Sequence, residues 1–160
     1  MDCEQIVDAV RNWLDKDDWK YEYDADKNVI RSGINLKSKL KNCKIIIIFN
    51  DDSYLVILSA PVNGDTDNLD ELMKYLTMVN FGLSNGNFEL DVRDGEIRYK
   101  VFVNCNGLES LPEEIIQDSI YVGCFMMEKF GDGIAALALG FSDAATEIEK
   151  AEQQREESDD

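Results

Sequence analysis

The residues that could carry chemistry in this chain are carboxylates, thiols and one serine, because the sequence contains no histidine. Histidine is the usual general base near neutral pH and the commonest metal ligand. Without it, Ser-His-Asp and Cys-His catalysis and His-containing zinc or haem sites are excluded. Four cysteines stand at Cys3, Cys43, Cys105 and Cys124, and no two are spaced Cys-x-x-Cys. That spacing suits isolated, reduced thiols buried as small hydrophobes rather than a zinc or redox motif. Cys43, beside Lys44, is the one thiol with an adjacent base that could lower its pKa.

Gly82-Leu83-Ser84-Asn85-Gly86 matches the spacing of a nucleophile elbow. The elbow needs a strand before the serine and a helix after it. Here a helix precedes and a strand follows, so the segment reads as a helix-to-strand turn. Asp65-x-Asp67 resembles the start of a calcium loop, but Leu69 and Asp70 occupy the positions where an oxygen ligand and a glycine are needed. Helix capping is the expected role there. Asp15, Asp17 and Asp18, and Asp51 with Asp52, are paired acids at turns, where solvation explains them without a shaped pocket. No catalytic, cofactor or metal site is therefore expected, and the chain is not read as an enzyme.

Charge narrows the partners. The chain has 160 residues with 33 acidic against 16 basic, a formal net charge of −17. Such a field repels phosphate backbones and anionic membranes, and favours basic or neutral protein partners. Apolar residues make up 44% of the chain, enough for a folded core in a domain of this length. Met1-Asp2-Cys3-Glu4 opens without a signal-peptide pattern, and no apolar run reaches membrane-spanning length. A cytoplasmic protein is expected.

The elements that position these residues follow from periodicity. Cys3, Ile6, Val7, Val10, Trp13 and Leu14 fall on one helical stripe over about 3–16, with Asp2 as N-cap. Strands are expected at 19–24, 29–36, 43–49 and 54–60. Ile45–Phe49 and Tyr54–Leu58 are continuous apolar runs, the pattern of strands covered on both faces. A second helix is expected at about 68–80, capped by Asp67. Asp94-Gly95 predicts a two-residue turn that sets Glu89 opposite Lys100 and Leu90 opposite Tyr99. A last helix starts at Pro112 and carries an apolar stripe to Phe141, with a kink or break at Gly131-Asp132-Gly133. Residues 1–145 read as one domain and 146–160 as an acidic, frayed or disordered tail.

The block Leu72-Met73-Lys74-Tyr75-Leu76-Thr77-Met78-Val79-Asn80-Phe81-Gly82-Leu83, then Gly86-Asn87-Phe88-Glu89-Leu90-Asp91 and Asp94-Gly95-Glu96-Ile97-Arg98-Tyr99, resembles the YbjN-like family. These are small bacterial proteins grouped as sensory transduction regulators. The resemblance spans roughly residues 3–141. It implies a fold like that of the class I type III secretion chaperones, acidic proteins that usually dimerise and hold a partner segment in extended form. It supplies no catalytic motif.

The expected architecture is α+β, in the order α-β(3-4)-α-β-β-α. A twisted, mostly antiparallel sheet of five or six strands carries helices on one face. One layer of helices cannot hide apolar surface on both faces of the central strands and on both sides of the last helix. The surplus predicts a homodimer and a protein or peptide partner, with Ile46, Ile48, Met78, Phe125 and Met126 as contact residues. The expected function is a chaperone or adaptor/regulator module. The alternative is a small-ligand sensor whose cavity Trp13, Trp19 and Tyr54 would line.

Overall fold

In a computed structural model, the described residues run from Met1 to Ser158, with side chains described as far as Gln153. Helix α1 spans Cys3–Lys16 and buries Ile6, Val7, Val10, Trp13 and Leu14. Asp2 caps it. Its carboxylate accepts from the Gln5 amide at 2.9 Å, and the Gln5 side chain accepts from the Asp2 amide at 3.0 Å, a reciprocal capping box. Then come β1 (Tyr21–Asp24), β2 (Val29–Asn35), β3 (Asn42–Phe49) and β4 (Ser53–Ser59). Helix α2 (Leu69–Phe81), β5 (Asn87–Leu90), β6 (Ile97–Asn104), α3 (Glu113–Ala138) and α4 (Ala144–Ser158) complete the chain.

The six strands form one antiparallel sheet in the order β1-β2-β3-β4-β6-β5. The α+β class and the single helical layer expected from sequence are both present. The inner face carries Ile45, Ile47, Phe49, Tyr54, Val56, Leu58, Tyr99 and Val101, all in one core with the buried residues of α1, α2 and α3. Each fully buried aliphatic side chain there contributes roughly 1.5–3 kcal/mol. Tyr54 and Ser119 satisfy each other's hydroxyls in that core at 3.0 Å.

Five local expectations differ from what forms. Strand β3 is not shielded on both faces: Cys43, Ile45, Ile47 and Phe49 are buried, while Ile46 and Ile48 between them are only half-buried. The β5–β6 hairpin is shifted by two residues, so Glu89 faces Arg98 and Leu90 faces Ile97. Its loop is a longer turn closed by the Asp91 amide on the Glu96 carbonyl at 2.9 Å. The Asp91 carboxylate takes up the Arg93 amide at 3.0 Å, and Asp94 takes up that of Glu96 at 2.9 Å. Gly95, at φ 77°, also packs on Gly64, where any Cβ would meet the Gly64 carbonyl at 2.1 Å. A shift of two, unlike a shift of one, keeps every side chain on its intended face.

Asp67 caps nothing; it lies in a single 3-10 turn, Thr66–Asn68, that leads into α2. Pro112 is the N-cap of α3 rather than its first helical residue. Gly131 and Gly133 do not break α3. They let the helix approach its neighbours: a Cβ at Gly131 would stand 2.6 Å from the Ser38 hydroxyl, and one at Gly133 2.4 Å from that of Tyr75. The helix ends at Ala138 instead, Gly140 turns the chain at φ 72°, and Phe141 is 82% exposed.

The chain is helical over Ala144–Ser158. Asp143 accepts the Thr146 amide at 2.9 Å and starts α4, and Glu71 of α2 accepts the Ala144 amide at 2.8 Å. Ala144 and Glu147 are buried, and Ile148 and Ala151 pack on the core. The packed unit thus extends past the boundary expected at 145, because apolar residues at i, i+4 and i+7 lie hidden among the charges. Asp159 and Asp160, the end of the expected tail, lie outside the described residues.

Candidate protein-docking surfaces

The strand register fixes what shares the outer face of the sheet. Val29, Ile48, Leu55 and Phe102 form one row across β2, β3, β4 and β6. Arg31, Ile46, Ile57 and Lys100 form the next, and Gly33, Lys44, Ser59 and Arg98 the third. All four helices lie on the other side, so among the described residues nothing covers these rows. Phe102 is 61% exposed, Ile46, Ile48 and Leu55 are half-buried, and Val29 and Ile57 are buried by their own neighbours in the sheet. Two of the five expected contact residues, Ile46 and Ile48, therefore sit on a bare sheet face.

The remaining three lie on the opposite side of the molecule. Met78 is 51% exposed and, with Phe81, Leu83, Met126 and Ile148, lines an open groove of about 740 Å³ between α2, α3 and α4. Phe125, 59% exposed, lies on the outer side of α3 under the Lys129 ammonium, 6.0 Å from its ring centroid. Phe81 stands almost free of the protein at 95% exposure. The structure thus brings Met78 and Met126 together, and separates them from Ile46 and Ile48 by the full thickness of the domain.

The two sides differ in charge as well. Strands β2, β3, β4 and β6 contain Arg31, Lys44, Arg98 and Lys100 and no Asp or Glu, and all four bases are on the outer face. Four acids share that face: Glu22 and Asp24 on β1, Glu89 on β5, and Glu96, which accepts from the Ser59 hydroxyl at 3.1 Å just before β6. Glu89 pairs with Arg98 at 2.7 Å and with Lys100, which holds its carboxyl below the usual range against the opposing effect of burial. Asp24 reaches Arg31 at 3.5 Å. Lys44 has no ion pair among the described residues. In sequence, residues 27 to 50 hold Lys27, Arg31, Lys37, Lys39, Lys41 and Lys44 and no acid, but of these only Arg31 and Lys44 lie in the outer rows, and the Lys37 and Lys39 amides bind Glu128 and Asp132 of α3 instead.

The residues proposed for a ligand cavity do not form one. Tyr54 is fully buried in the core. Trp13 and Trp19 pack against Tyr121 with ring centroids 5.8 to 6.5 Å apart, leaving no room for a guest among them. Asp17 ties that cluster together, accepting from the Trp19 indole at 2.9 Å and the Tyr121 hydroxyl at 2.6 Å. Those bonds hold the Asp17 carboxyl below its usual pKa. The thiols are shielded: burial pushes Cys43 up to about 12 and Cys124 to about 11. Lys44 does not activate Cys43, because its side chain points to the opposite face of β3.

No family model matches the chain, and no curated protein matches it in sequence. Among solved structures it is similar to the crystal structure of YbjN from E. coli, described as "a putative transcription regulator". The two share 14% identity and a TM-score of 0.51, over 84% of this chain and 89% of that one. The chain has a YbjN-like fold. At that identity the likeness shows the fold alone, and the function rests on the surfaces. Among the described residues, no helix is long and apolar enough to cross a membrane.

Proposed function

We propose that this chain is a non-enzymatic protein-binding module of adaptor or regulator type. The observation that carries this reading is the bare outer face of the sheet. No helix packs on this face, and the exposed Phe102 lies beside the half-buried Leu55, Ile48 and Ile46, an apolar surface of the kind that marks interaction sites. The regulatory description of the YbjN structure is consistent with such a role. Chaperone-like holding of a partner segment is one form it could take.

The homodimer expected from sequence belongs to the other side. Met78, Phe81, Phe125 and Met126 offer adaptable apolar contacts on the helical layer. Two copies of a chain with net charge −17 repel each other at long range, so self-association there should strengthen as salt screens that repulsion.

The test is a pair of surface variants in the cells that make the protein. Partners recovered with the wild type should be lost with Ile46→Asp and retained with Phe81→Asp. Light scattering should show a dimer for the wild type and a monomer for Phe81→Asp. Equal recovery with Ile46→Asp and wild type would remove the sheet face from the account.

A further inference from the structure

Resting on the protein-binding reading but not on the outer face, we propose that the edge of β1 takes a basic, extended segment of a partner protein as a further strand of the sheet. The strand register decides which backbone groups are free there. The Phe49 amide donates to the Asn28 carbonyl at 3.0 Å, which makes Ile30–Ile47 and Ser32–Ile45 hydrogen-bonded pairs between β2 and β3. Val29 and Arg31 therefore turn their backbone groups toward β1, onto Asp24 and Glu22. The amides and carbonyls of Tyr21 and Tyr23 point out of the sheet, with no partner among the described residues. The other edge is not equivalent. The same alternation turns the Phe88 amide and carbonyl out from β5. Asn80 of α2 takes both, accepting at 2.8 Å and donating at 2.9 Å. A side chain thus stands at Phe88 where a neighbouring strand would go, and among the described residues none does so at Tyr21 or Tyr23.

Charge then selects the segment. A groove of about 400 Å³ lies beside Tyr23, lined also by Glu4, Val7, Asp8, Arg11 and Asn28. The bases near this edge are mostly occupied. Asp24 holds Lys27 at 3.7 Å and Arg31 at 3.5 Å, and the Arg11 guanidinium lies over the Tyr23 ring, 5.1 Å from its centroid. Lys20 is left without an ion pair among the described residues, and so are three acids, Glu22 on β1 and Glu4 and Asp8 on α1. All three carboxylates belong to exposed residues. On an added strand, Lys or Arg opposite Glu22 would complete a cross-strand pair. On its other face, a Lys or Arg would lay its aliphatic stem on Tyr23 and Val7 and its charge beside Glu4 and Asp8. A second copy fits poorly. The register that satisfies all four free groups pairs Tyr21 of one copy with Tyr23 of the other, and sets Glu22 directly against Glu22. The charges that guard this edge against self-pairing are the ones that would receive a basic strand.

The experiment titrates two short synthetic peptides into the full chain, one alternating Thr with Lys and the other Thr with Glu. Backbone amide shifts and amide hydrogen exchange are read. The Lys peptide should shift the Tyr21 and Tyr23 amides, slow their exchange, and bind at least about tenfold more tightly than the Glu peptide. Tyr23→Pro removes an outward donor without touching the bonds to β2, and should abolish that protection. Glu22→Lys, at an exposed position, should keep the fold and weaken the Lys peptide at least about threefold. Ile46→Asp should leave both peptides unaffected, so the edge and the outer face stand or fall separately. If the Glu peptide protects these amides equally, the basic partner is wrong and the proposal is overturned. If the Lys peptide shifts amides across the acidic surface while exchange at Tyr21 and Tyr23 stays fast, no strand has been added and the edge site falls. If those amides are protected in the free chain in step with its concentration, a second copy fills the edge, which also overturns the proposal. None of these failures touches the outer-face reading, which partner recovery with Ile46→Asp decides.

Discussion

Residues on the two faces of one sheet should differ sharply in what they cost to remove. Ile47 is 1% exposed in the core, and Phe102, two strands away on the outer face, is 61% exposed. Ile47→Ala removes buried methylenes and leaves a cavity in the core beneath the helices, which costs about 2–5 kcal/mol. For a chain of this size that lowers Tm by about 4–20 °C. Phe102→Ser removes a larger side chain, yet should shift stability by no more than about 0.5 kcal/mol, because solvent already reaches most of the ring. Urea unfolding followed by far-ultraviolet circular dichroism at low protein concentration measures both. Equal losses for the two variants would mean the outer face is covered in solution, and the reasoning from a bare sheet would fail.

Three further outcomes follow from the core. Burial holds the Cys43 and Cys124 thiols neutral, up to about 12 and 11 in the folded chain. The unfolded thiol ionises near about 8.5, so this stabilisation is complete below that pH and is lost as pH rises toward the folded values. Unfolding free energy should therefore decline through alkaline pH, and more gently in Cys43→Ala. Gly123→Ala would place a methyl group 2.2 Å from Leu58 Cδ1 at the contact of α3 with β4, and should cost about 1–3 kcal/mol in chemical denaturation. Glu71→Ala deletes the acceptor of the Ala144 amide, and should raise amide exchange at the start of α4 before the sheet is affected.

Long periodic elements were legible in the sequence because many residues repeat the same instruction. The α1 stripe and its Asp2 cap, the four strands to Ser59 and the start of the helix after Pro112 all form within two residues of expectation. The hairpin register was not, because Asp-Gly at 94–95 competes with Asp91 and Asp94 side chains that close a longer loop, and with the Gly64 contact that only tertiary structure supplies. Gly131 and Gly133 read as helix breakers because nothing local reveals Ser38 and Tyr75 pressed against them. The five expected contact residues were chosen for hydrophobicity alone. Strand parity, which was available in the sequence, adds Leu55 and Phe102 to Ile46 and Ile48 and puts Arg31, Lys44, Arg98 and Lys100 on their side.

The bare outer face is tested most directly by a photo-crosslinking amino acid placed at position 102, and separately at position 81, in the cells that make the protein. The account predicts a partner adduct from position 102 that disappears when Ile46→Asp is added, and only self-adducts from position 81. A partner captured from position 81 with none from position 102 would contradict it.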